Sequence, residues 1–122
     1  MIAAFAVGDT FSHRAEAASL PVAVIQIFDQ APHFSPATIV VRVGQTVEWV
    51  NAGKSVHSVS NDRATVANPA NVSAPKGAAP FDSGFVPSGG KFDYAFTTAG
   101  VYRYVCVPHE KPASAGTITV KR

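Results

Sequence analysis

The sequence predicts an all-β domain, a Greek-key sandwich or barrel of about seven to eight strands, on three observations. Short runs rich in β-branched and aromatic residues recur from Val22 onward, separated by Gly, Pro, Asn and Ser. Within several of these runs apolar and polar residues alternate with a period of two. Helical periodicity is absent over any useful length.

The runs cover residues 22–28, 38–43, 46–51, 56–60, 91–97, 101–106 and 116–121. Val43-Gly44-Gln45-Thr46 reads as a tight connection, with glycine supplying the backbone freedom of a turn. Alternation aims Val47 and Trp49 inward, then Phe92, Tyr94 and Phe96, then Ile118 and Val120. In the run 101–106 the face shared by Tyr102, Tyr104 and Cys106 carries the aromatics, so Cys106 ends a strand pointing inward. Between Asp62 and Gly84 three prolines and no alternation predict a long surface excursion, holding at most a turn of helix or an irregular edge.

A length of 122 residues suits one domain, and 47% apolar with 15% charged residues suits a packed interior. The domain is expected to span residues 20–122, preceded by an extension at 1–19. In that extension an apolar stretch (IAAFAV) and Ala15-Glu16-Ala17 suggest the remnant of a secretion signal, but no positive charge precedes them. The competing reading is a short helix capped by Asp9 or Thr10. The apolar stretch is too short to span a bilayer. The net charge of +2 comes from ten basic and eight acidic residues scattered singly, which argues against a nucleic-acid partner.

Cys106 is the only cysteine, so no internal disulfide forms. A solitary cysteine is ordinarily an inert, buried core residue. Here it stands in Cys106-Val107-Pro108-His109, a strand end followed by an imidazole three residues on, and His57 offers a second imidazole after a loop. A soft thiolate with two imidazoles is the ligand set of mononuclear electron-transfer copper. Structural zinc would want further Cys or His at set spacings, and these are missing.

Several segments carry a resemblance. Phe34-Ser35-Pro36 is followed by Thr38 to Asn51, which reads I-x-V-x-x-G-x-T-V-x-W-x-N from Ile39, and then by His57-Ser58-Val59. Phe81-Asp82-Ser83-Gly84, Gly89-Gly90-Lys91-Phe92, Phe96 and Gly100-x-Tyr102-x-Tyr104-x-Cys106-x-Pro108-His109 follow in order. The sequence therefore resembles the plastocyanin, pseudoazurin and amicyanin branch of the cupredoxins over nearly all of residues 22 to 121. The resemblance implies one copper ion, bound by His57, Cys106 and His109, that shuttles between cuprous and cupric states. It also implies a loop-tying tyrosine at Tyr102, an amide donor to the thiolate at Ser58, and a brace between the two ligand loops at Asn51. Such outer contacts tune potential and hold geometry.

One position departs from the family, whose weak axial methionine follows the second histidine by five residues. Here that position is Ser114, and the only methionine is Met1. The axial place is open to water, to a weak oxygen from Ser114, to Glu110 folding back, to a backbone carbonyl near Gly53, or to no ligand. A hydroxyl is a poor ligand for cuprous copper, so an open or water-filled position leads. His33 is a further candidate if its loop lies over the site, though a lone loop histidine is more often solvent exposed. An oxygen ligand would lower the potential and a missing ligand would raise it.

The expected function is that of a periplasmic or otherwise extracytoplasmic one-electron carrier. It would dock transiently with redox partner proteins through an apolar rim around His109, with Val107, Pro108, Pro112 and Ala113 nearby. The alternative is redox chemistry on a small inorganic ligand, such as nitric oxide, at the open copper. Copper delivery or storage would want Met- or His-rich tracts, which the sequence lacks.

Overall fold

Seven strands form among the described residues, 20–110 and 114–122 of the computed structural model. The expectations for residues 1–19, Pro112 and Ala113 lie outside those residues. In chain order the strands are β1 (Pro21–Ile27), β2 (Phe34–Ser35), β3 (Thr38–Arg42), β4 (Thr46–Asn51), β5 (Lys91–Ala95), β6 (Gly100–Tyr104) and β7 (Gly116–Lys121). They make two sheets, ordered β2-β1-β4-β5 and β3-β7-β6.

Both sheets are mixed. β1 runs parallel to β4, with Ile25 opposite Trp49 and Ile27 opposite Asn51, and β3 runs parallel to β7, with Val41 opposite Val120. The pairs β4–β5 and β6–β7 are antiparallel. The parallel pairing of β1 and β4 brings their carboxy-terminal ends to one pole, where Ala52 N–H donates to the Ile27 carbonyl at 2.9 Å.

The inner faces supply one shared core. Ile25, Ile27, Val47 and Trp49 come from the larger sheet and Val41, Tyr102, Tyr104, Ile118 and Val120 from the smaller. Phe92 and Tyr94, expected in the core, only pack against its margin because β5 is an edge strand. At the β3–β4 turn Gly44 adopts a φ of 91°, the left-handed region that favours glycine.

Gly116 has a different reason to be glycine. A Cβ there would fall on the Tyr104 ring, so the bare backbone lets the phenol pack flat on β7. The Tyr104 hydroxyl and Trp49 Nε1 are both buried and make no hydrogen bond of ordinary geometry. Burial pushes the Tyr104 phenol well above its usual range, despite a small opposing effect of Trp49. Tyr104→Phe, which removes an unsatisfied hydroxyl, is expected to leave stability unchanged or raise it by up to about 1 kcal/mol. Urea unfolding measures this, and a loss above about 1 kcal/mol would mean that the hydroxyl is satisfied in solution.

The stretch 62–84 is less superficial than its composition suggests. It contains a short 3-10 turn at Pro69–Asn71, capped by the Asn68 side chain on Ala70 N–H. Val66 and Val72 are buried against Val105 in a small second cluster, and Phe81 enters the main core. Isolated valines in a proline-rich segment carry no periodicity, which is why their burial was not visible in the sequence.

Candidate metal centre

The site begins where β1 and β4 end. Asn51, the last residue of β4, spends its side-chain amide locally: Nδ2 donates to the carbonyls of Ser55 (2.8 Å) and Val86 (2.9 Å), and Oδ1 accepts from Gly53 N–H (2.9 Å). These bonds shape the 52–56 loop. His57 is then fixed by a backbone bridge to Val86, N–H to carbonyl at 3.1 Å and back at 2.7 Å.

Residues 56–60 do not form the expected strand. Ser60 makes a bridge to Val105, 2.9 Å in each direction, and another to Asp82. The ladder cannot propagate from it, because the amides it would use are committed elsewhere. Val59 N–H donates to Ser83 Oγ at 2.8 Å, and Ser58 N–H donates to Cys106 Sγ at 3.4 Å. The run expected at 101–106 likewise ends early as a strand, at Tyr104, with Val105 joined to Ser60 and Cys106 just beyond.

Cys106 and His57 are both fully buried, and the Cys106 sulfur lies 3.5 Å from His57 Nδ1. Val107 N–H donates to Ser58 Oγ at 2.9 Å. Ser58 therefore clamps the Cys106 loop twice, through its amide and its hydroxyl. The bracing between ligand loops expected of Asn51 falls to Ser58, since the amide of Asn51 is used up within the His57 loop and on Val86.

The other candidates separate clearly. Tyr102 OH donates to the Thr98 carbonyl at 2.6 Å, tying the turn before β6. His33, expected in solvent, is buried; its Nδ1 lies 2.9 Å from the Phe28 carbonyl and its ring centroid 6.0 Å from that of His57. Ser114 is buried just ahead of β7. The backbone of His109 ends a 3-10 turn at Val107–His109, and its side chain lies outside the described atoms. Among the described side chains no three of His, Cys, Asp and Glu converge on one point.

Glu110 does not fold back as an axial candidate. One carboxylate oxygen accepts from Ala67 N–H (2.6 Å), and the other from Asn68 N–H (2.8 Å) and Asn71 Nδ2 (2.9 Å). Desolvation pushes its carboxyl up, but these donors outweigh it and hold the group below its usual range. Glu110 thus anchors the 67–71 turn to the end of the Cys106 loop while ionised. Its contribution is present above the ordinary carboxylate range and fades as pH falls through the lowered folded value. Glu110→Gln is expected to cost about 1 kcal/mol at neutral pH, a deficit that shrinks on acidification. Unfolding curves at pH 7 and in acid check this; a deficit independent of pH would remove the carboxylate from the account.

Asp29 was not singled out by sequence. Its Oδ1 lies 2.8 Å from His57 Nε2, and its carboxylate accepts from Lys54 N–H (2.8 Å) and Ser55 N–H (3.1 Å). The Lys54 amide, His57 and the Ser55 amide together hold its carboxyl down at about 2. A lone aspartate in a loop carries no signal in sequence, because only the parallel β1–β4 pairing brings residues 29 and 57 together.

A model of the plastocyanin/azurin family of copper binding proteins matches residues 23–121. The chain belongs to that family. Plastocyanin of Scenedesmus fuscus is 33% identical over 88 residues, covering 72% of this chain and 86% of that protein. The purple cupredoxin of Nitrosopumilus maritimus matches in structure with a TM-score of 0.61 and 26% identity, over 81% of this chain and 99% of that one. An oxidised amicyanin variant matches with a TM-score of 0.57 and 26% identity, over 80% of this chain and 81% of that one.

The family's cofactor is a copper ion, and the described donors suit one. A thiolate sulfur and an imidazole nitrogen 3.5 Å apart can both reach a single ion at ordinary bond lengths of about 2.0 to 2.3 Å. A soft sulfur with borderline nitrogen selects copper over hard cations. Both residues are fully buried, which shields the sulfur and the imidazole from bulk solvent.

Proposed function

We propose that this cupredoxin is a one-electron carrier in which His57, Cys106 and His109 hold one copper ion. The observation that carries the reading is the pairing of Cys106 Sγ with His57 Nδ1 under the Ser58 amide, in a chain of this family. When bound, copper supplies a one-electron couple. The surrounding residues restrict movement: Ser58 joins the Cys106 loop to the His57 loop, and the bridge to Val86 fixes the His57 backbone. A rigid site suits electron transfer, since little rearrangement separates the two oxidation states.

We assign to the axial position Ser114, which stands two residues before β7, five after His109, and is no methionine. An open or water-filled axial position is the reading preferred here, because a hydroxyl is a poor ligand for cuprous copper. Docking is assigned to the apolar surface around the Cys106 loop, where Pro108 is exposed and Val107 half-buried. Val56 and Phe85, both exposed and flanking the His57–Val86 bridge, extend it. The carrier is assigned to the periplasm or another extracytoplasmic compartment. No helix among the described residues is long and apolar enough to cross a membrane.

Optical and electron paramagnetic resonance spectra of the copper-loaded protein test this reading. An intense thiolate-to-copper charge-transfer band is expected, and its absence would overturn the site. The serine at 114 favours one second reading, redox chemistry on a small inorganic ligand at an open copper. Azide or nitric oxide at saturating concentration would perturb the band in that case, whereas an unaltered spectrum leaves the carrier alone.

A further inference from the structure

Both ring nitrogens of His57 are engaged, on opposite sides. Nδ1 faces Cys106 Sγ at 3.5 Å, and Nε2 lies 2.8 Å from Asp29 Oδ1. An ionised carboxylate can only accept, so Nε2 donates the hydrogen of this bond, and Nδ1 is the ring nitrogen turned to the metal side.

Three further features hold Asp29 in place. Its carboxylate accepts the amides of Lys54 and Ser55, which belong to the same loop that delivers His57. Gly53 makes room for it, since a Cβ at that residue would overlap Oδ1. The parallel β1–β4 pairing sets the two chain segments side by side, so that Asp29, two residues beyond β1, meets the loop that follows β4. The Asp29 side chain is 34% exposed while that of His57 is fully buried, so the pair runs from the surface to the core.

We propose that Asp29 is a positioning residue for the metal centre, fixing the tautomer and orientation of His57 and favouring cupric over cuprous copper through its negative charge behind the ring. Carboxylates hydrogen-bonded to ligating imidazoles fix the ring and raise its basicity, and a more basic donor with a nearby anion favours the higher charge on the metal. This inference rests on the copper-carrier reading.

The test uses the full chain as wild type, Asp29→Asn and Gly53→Ala. In the metal-free protein, nitrogen-15 shifts of the His57 ring are expected to report a protonated Nε2 in the wild type. Asp29→Asn should then lose the single tautomer; an identical ring state in both proteins would overturn the proposal. With copper bound, Asp29→Asn is expected to weaken cupric affinity at least tenfold and to leave cuprous affinity within about threefold. A tenfold change in that ratio raises the midpoint potential by 59 mV for a one-electron couple. Equal losses of both affinities would mean that Asp29 only supports the loop, and no change in either would remove it from the site. Gly53→Ala keeps the carboxylate but crowds it off His57, and is expected to shift the same ratio in the same direction. Absence of a charge-transfer band in the wild type would instead sink the copper reading itself, a result separable from all of these.

Discussion

Trp49→Ala is expected to lower the free energy of unfolding by about 3 to 5 kcal/mol, the largest loss of any single core truncation in this chain. Trp49 sits on β4, which lies inside the larger sheet between β1 and β5, and its side chain is fully buried. Its ring meets Phe92 and Phe96 with centroids 5.7 and 6.4 Å away, Phe81 at 5.9 Å, and Tyr104 of the opposite sheet edge-on at 5.4 Å and 87°. Removing it withdraws about 150 to 250 Å² of buried aromatic surface and one of the rings that join the two sheets, beside the Phe34–Tyr104 contact at 4.7 Å. At about 25 cal/mol per Å² that area corresponds to about 4 to 6 kcal/mol as an upper bound, since the unfolded chain already buries part of it. The neighbours cannot collapse into the gap without pulling β4 from β1 and β5, so a cavity remains. Against a total stability of about 5 to 15 kcal/mol for domains in general, this variant is expected to approach the threshold of folding. Urea unfolding gives the measurement. A loss below about 1.5 kcal/mol with an unchanged denaturant slope would show that the core repacks, contrary to the geometry of the ring cluster.

The inward faces were legible because a strand alternates with period two and one face must leave water. Val47, Trp49, Ile118 and Val120 follow from that alone. Strand pairing was not legible, since parallel β1–β4 and β3–β7 contacts join residues far apart in sequence, and no local pattern encodes them. The same limit separates Cys106 from Asp29. A lone cysteine three residues before a histidine carries a chemical signal at short range, whereas the bond between Asp29 and His57 depends on the parallel register. Glu110 illustrates the reverse error: proximity in sequence to His109 suggested the metal, but three donors from residues 67 to 71 compete for its carboxylate and hold it. The strand expected at 56–60 failed for a related reason, as alternation cannot reveal that the Ser58 and Val59 amides are bonded to a thiol and a hydroxyl instead of a neighbouring strand.

Cys106→Ala is expected to fold, to lose the charge-transfer band, and to lose the stabilisation that copper confers on the wild type. The first expectation follows from size. Replacing a fully buried thiol by a methyl removes one sulfur atom from the core end of the barrel, a change of about 1 kcal/mol in either direction. The last follows from linkage, because a ligand that binds only the native state stabilises it by about 4 kcal/mol at a thousandfold excess over its dissociation constant. For a chain of 122 residues that corresponds to a rise in melting temperature on the order of 10 °C or more. Without the thiolate, the soft donor 3.5 Å from His57 Nδ1 is gone, and a site of imidazoles alone holds cuprous copper less tightly than one with a thiolate. Melting curves of both proteins, with and without copper under reducing and oxidising conditions, read the difference directly. Equal copper-induced shifts in wild type and Cys106→Ala would mean that the metal binds elsewhere. A shift confined to the wild type, together with a metal-free variant as stable as its parent, separates the role of Cys106 as ligand from its role as a packed core residue.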